Sequence, residues 1–268
     1  MGNSRVVWGA LRYEFQMQVR RPAVWVGLTL VAAIPFVLWQ GIGDHYLHGH
    51  YSDRSTVWVP AAPAGAVLLW AEILTFLLPL AVGLVLADRL ARDRTTHVAE
   101  LLETLPGALG ARLAGKYLGS TLATLLPVGL LYAAGIGDIL IQVPDASMVP
   151  LAAAAFAAVV LPGSLFAAGF SIAVPAVLRV PLYQFLFVGY WFWANLMSPK
   201  IGLPSPVGTM LNATGPWALE GFFDFQWTFL ILHATAAQAA ASIVLLVGLG
   251  LLALTGGWGY LSWEQARR

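Results

Sequence analysis

The chain has 268 residues, 59% of them hydrophobic and 10% charged, with a formal net charge of +1, a mean hydropathy of +0.76 and no cysteine. A water-soluble fold cannot cover that much apolar surface, so this is the composition of an integral membrane protein. Disulfides, thiolate metal sites and cysteine nucleophiles are excluded, and no basic tract or binding module points to nucleic acid.

Residues 4–21 read as an amphipathic helix rather than a signal peptide. Arg5, Arg12, Gln16 and Arg20 fall on one arc, and Val7, Trp8, Leu11, Phe15 and Val19 on another. Such a helix is expected to lie on the cytoplasmic leaflet, its arginines against anionic lipid. Glu14 and Gln18 interrupt the apolar side, which points to a protein neighbour as well as lipid.

Six apolar segments follow, at about 23–40, 65–86, 117–136, 150–177, 182–196 and 227–255. Pro162 and Pro175 should bend the fourth. The connection 41–60 is polar and rich in His and aromatic residues, and 198–226 is rich in Gly and Pro. With the N-terminus inside, twelve Lys and Arg face the cytoplasm and only Arg54 and Lys200 face out. The expectation is one all-α polytopic transmembrane domain over residues 1–268. It has six spans, an N-terminal interfacial helix and both termini cytoplasmic, in the cell's inner (plasma) membrane.

The connection 88–116 carries nine of the chain's charges, including Asp88, Arg89, Arg112 and Lys116. Within it, Val98, Leu101, Leu102 and Leu105 recur at helical spacing before Pro106 and Gly107 end the run. A solvated hairpin that merely joins two spans is the plain reading. Asp93-Arg94, Glu100-Leu101-Leu102, Pro106 and Gly115-Lys116 together make the segment resemble the first cytoplasmic loop of type-2 ABC exporter permeases. His97 departs from the Gly that the family often has ahead of this helix. Arg20-Arg21-Pro22, after the amphipathic helix, is similar to the family's elbow region.

The resemblance implies a coupling helix seated in a groove of a separate ATP-binding subunit. Glu100, Leu101, Leu102 and Leu105 would form its docking face, and Arg94 and Glu103 its polar rim. It also implies a second permease copy or paralogue, with spans one, two and five of each lining the pathway. No Gly-Lys-Ser/Thr phosphate loop occurs, so this chain is expected to hold no cofactor and to be no enzyme. ATP and Mg would be bound by the partner.

Ionisable groups inside spans are costly and mark function by default. Glu72 and His233 each fall six or seven residues into a span from the outer side, a depth of roughly 10 Å. With Asn195 near the outer end of span five they could line an exit for substrate. A structural hydrogen bond, or snorkelling to the interface, would explain them equally. Asp44, His45, His48, His50 and Asp53 offer suitable metal ligands, but without a scaffold or second shell no metal site is expected. Asn212-Ala213-Thr214 fits a glycosylation acceptor.

Two other classes fit a six-span chain. A rhomboid-like protease would use Ser164 and His233, yet the order Pro162-Gly163-Ser164-Leu165 departs from that family's Gly, any residue, Ser, Gly. An ion-coupled secondary transporter would want midplane ionisable groups and an internal repeat, and neither is clear here.

Overall fold

The computed structural model describes residues 3–51, 58–59, 61–95, 108–197, 203–226 and 231–267. Regular structure among them is helical, apart from a short antiparallel ladder pairing His50 with Val59 and Tyr51 with Trp58. The helices are α1 (Asn3–Val19), α2 (Pro22–His48), α3 (Pro63–Leu86), α4 (Arg89–Thr95) and α5 (Leu109–Gln142). They continue with α6 (Met148–Ala176), α7 (Val180–Asn195), α8 (Pro216–Phe223) and α9 (Ala236–Arg267). Of these, α2, α3, α5, α6 and α9 are long and apolar enough to cross a membrane. The protein is an all-α multi-pass membrane protein.

Local chemistry sets several helix ends. Proline occupies the first turn of α2, α3 and α8, where its missing N–H costs nothing. In α6 a π-helical turn, Phe156–Val160, widens the helix just ahead of Pro162, which has no N–H to give to the preceding turn. Pro175 sits in the tighter turn Val174–Ala176 that closes α6.

Boundaries differ from the sequence expectation in several places, among them the far ends of α5 at Gln142 and of α9 at Arg267. Helix α2 continues eight residues past Gln40, so His45 and His48 ride its last turn instead of an outer loop. Helix α5 begins at Leu109, which puts Arg112 and Lys116 inside it. The fifth apolar segment forms α7, whose 16 residues extend about 24 Å, short of a hydrocarbon core of about 30 Å. The last helix starts at Ala236, not Trp227, and residues 231–235 precede it as irregular chain.

Helix α3 is the axis of the bundle, with most of its residues buried against α2, α5 and α6. Trp70 donates through Nε1 to the Tyr132 carbonyl at 3.1 Å, and the Tyr132 hydroxyl donates to the Ala152 carbonyl at 2.8 Å. These bonds satisfy polar atoms that lipid could not, and they fix α3, α5 and α6 in register. Helix α7 runs beside the second half of α3, from Gln184 at Leu84 (3.3 Å) to Trp191 at Phe76 (2.7 Å). Its end therefore lies near the mid-length of α3.

One end of the bundle gathers several parts of the chain. Helix α1 packs on the start of α5, Gly110 lies against Trp258, Gly257 lies against Ala173, and α4 touches the turn at Val174–Ala176.

Candidate functional site

The stems of the 88–116 connection meet α1 in a buried charge cluster. Glu14 is the shared acceptor: Arg89 donates to its Oε2, Lys116 Nζ donates to Oε1 at 2.6 Å, and Ser120 Oγ donates to Oε2 at 3.3 Å. All four side chains are buried. Burial alone would raise the Glu14 carboxyl, but Lys116 and Arg89 outweigh it and hold the group below the usual carboxylate value. A second pair braces the same corner. The Arg21 guanidinium forks onto Asp88 at 2.8 and 3.2 Å.

Glycine makes the approach possible. A Cβ on Gly115 would lie 2.6 Å from the Val7 carbonyl oxygen, and one on Gly119 would lie 2.4 Å from that of Leu11. Backbones this close require small residues on the facing helix. Glu14 and Gln18 are the two buried residues of α1, so the interruption of its apolar side marks the face turned to α5. The helix is a packed part of the protein.

Of the residues assigned to partner docking, the side chain of Arg94, within α4, and all of Glu100, Leu101, Leu102, Glu103 and Leu105 lie outside the described residues. The structure therefore builds the frame of the loop: Asp88 and Arg89 on one stem, Lys116 on the other.

A second polar cluster lies between α3, α7 and the segment before α8. Asn195 Oδ1 accepts the Ala213 N–H at 2.6 Å, and its Nδ2 donates to Trp191 O at 3.1 Å. Asn212 Oδ1 accepts from Thr214 N and Oγ1 at 3.0 and 2.6 Å. The Thr75 hydroxyl bridges the carbonyls of Glu72 and Thr214 at 2.6 and 2.8 Å. Glu72, Thr75, Asn195, Asn212 and Thr214 are all buried. A Cβ on Gly163 would sit 2.1 Å from the Ala213 carbonyl oxygen, so that carbonyl lies directly on α6.

The connection read from sequence as external therefore folds back into the bundle. Thr75 lies twelve residues along α3 from Pro63, a depth of about 18 Å. Irregular backbone survives there because Asn195, Asn212 and Thr75 supply the hydrogen bonds that lipid cannot. With its side chain buried and bonded within this turn, Asn212 is no accessible glycosylation acceptor in the folded chain.

Asn195 and Thr75 are thus joined through the turn at 212–214, Glu72 enters only through its main-chain carbonyl, and His233 takes no part. His233 precedes α9 with an 89% exposed side chain and faces Glu220 at 3.8 Å, which also accepts from Gln226 at 2.5 Å. Ser164 donates within its own helix to the Val160 carbonyl at 2.9 Å, so neither candidate protease residue has the other as its partner. No group of three metal-ligating side chains occurs among the described residues. Sequence reasoning passed over Thr75, Asn212 and Thr214 as polar anchors; only Asn195 was singled out.

The chain matches no protein-family model, and no curated protein matches it.

Proposed function

We propose that this chain is the membrane-spanning permease subunit of a type-2 ABC exporter. In this reading α7 and the chain leading from it complete a sixth crossing, and both termini and the 88–116 connection are cytoplasmic. A separate ATP-binding subunit seats the segment around Glu100, Leu101, Leu102 and Leu105. ATP and Mg are bound there, and a second permease, identical or related, completes the transporter in the plasma membrane.

The observation that carries the reading is the connection itself. Its wording resembles the family's coupling loop, and both stems are tied to a buried acid on α1, as a loop that transmits force would require. The gathering of α1, the start of α5 and the end of α9 at one end of the bundle supports termini on a common side. The excess of Lys and Arg in the same connections supports that side being cytoplasmic.

Leu101→Asp tests the docking face. Burying a leucine against a partner is worth ~1.5–3 kcal/mol, so the change should release the ATPase without unfolding the bundle. If the complex survives it, the docking assignment is wrong.

One observation favours an ion-coupled carrier as the second reading. Glu72 is a buried carboxylate well inside α3, about one turn before Thr75, whose hydroxyl meets the irregular backbone at Thr214. Proton-gradient-driven flux abolished by Glu72→Gln, in vesicles without nucleotide, would establish it.

A further inference from the structure

Glu14 is the only carboxylate among the described residues that joins Arg89 and Lys116, and these two cations belong to opposite stems of one connection. The two attachments are built differently. Lys116 belongs to α5, which α1 already grips through the backbone approach at Gly115 and Gly119. Arg89 lies at the other stem, where α1 packs only lightly on α2, and its tie to α1 is the ion pair with Glu14. Two Arg89 nitrogens, Nε and Nη1, find no acceptor, so its charge depends on that one carboxylate.

Separating the Arg89 stem from α1 would leave a buried cation without its counter-charge, the costly way to break such a cluster. We propose that Glu14 is a positioning residue that locks α1, Arg89 at the α3–α4 junction and the start of α5 into one rigid unit, fixing the spacing of the two stems. Its consequence for ATPase docking rests on the function proposed above. The lock itself does not.

The lock makes an asymmetric prediction. Removing the Glu14 charge leaves the Arg89 stem held to this corner only by the partly exposed Arg21–Asp88 pair and so loosens it, while the glycine contacts keep α1 on α5. The cysteine-free chain takes spin labels cleanly, so two cysteine pairs suffice: Gln16 with Ala91, and Gln16 with Ala114. Distances are measured by double electron–electron resonance on the full chain in lipid nanodiscs.

In the parent chain both pairs give one narrow distribution. In Glu14→Gln and in Arg89→Gln the Gln16–Ala91 pair loses its narrow peak and the Gln16–Ala114 pair keeps it. Arg89→Gln leaves the Glu14–Lys116 pair intact, so it guards against a Glu14 variant that fails to fold. A narrow Gln16–Ala91 peak in Arg89→Gln overturns the lock, and so does equal broadening of both pairs. ATPase capture is scored separately on the unaltered chain, where its absence counts against the proposed function and leaves the spin-label distances to decide the lock.

Discussion

Gly163 sets a sharp test of the segment that folds back into the bundle. A methyl group in Gly163→Ala would be placed 2.1 Å from the Ala213 carbonyl oxygen and 3.3 Å from its carbon. An ordinary carbon–oxygen contact is about 3.3–3.6 Å, so one backbone must move by more than about 1 Å. The obstacle is main chain and cannot rotate aside. Moving it strains the Ala213 N–H bond to Asn195 and the Thr75 bond to Thr214. Overpacking costs about 1–3 kcal/mol and each hydrogen bond lost about 1 kcal/mol, for a total of about 3–5 kcal/mol. Hydrogen exchange by mass spectrometry on the purified protein should then show amides 212–215 exchanging at least roughly 100-fold faster. Unchanged exchange there would refute the placement of Ala213 on α6.

Gly119→Ala puts a methyl 2.4 Å from the Leu11 carbonyl oxygen and should weaken the seating of α1 by about 1–3 kcal/mol. Faster amide exchange across residues 8–18, with α3 unaffected, would register it. The charge cluster should also respond to acid. Because Glu14 titrates below its unfolded value, its contribution is complete above the ordinary carboxylate range and is lost as pH falls through the lowered folded-state value. Protection of the amides around Arg89, taken relative to intrinsic exchange at each pH, should therefore stay constant from neutral pH to mild acid and fall below it, and in Glu14→Gln it should be low at every pH.

Much of the fold was legible because lipid demands long apolar runs. The core of each of the five long helices stands out in composition. Their ends do not, because an interface tolerates polar helix: α2 carries Asp44, His45 and His48 in its last turns without breaking. The start of α9 had a readable signal. Thr235 and Gln238 form a capping box, with Gln238 Oε1 accepting the Thr235 N–H at 2.9 Å, and it marks Ala236 as the first helical residue. The apolar run from Trp227 to Leu232 outweighed it and carried His233 into a span.

Glu14 and Gln18 were visible as polar breaks on an apolar face, but which cations Glu14 meets depends on residues 75 and 102 positions away. The Gly- and Pro-rich segment after α7 was opaque for the same reason. Its burial rests on Thr75, Gly163 and Asn195, each on a different helix, and nothing local to residues 207–215 announces them.

A permease of the proposed kind works only with a separate ATPase. The most direct test is purification of the tagged chain from its native membrane in mild detergent, with co-purifying chains identified and ATP hydrolysis measured. The expected result is a stoichiometric soluble ATPase, lost when Leu101 becomes Asp. A pure, folded chain that brings down no ATPase and hydrolyses nothing would contradict the proposed function.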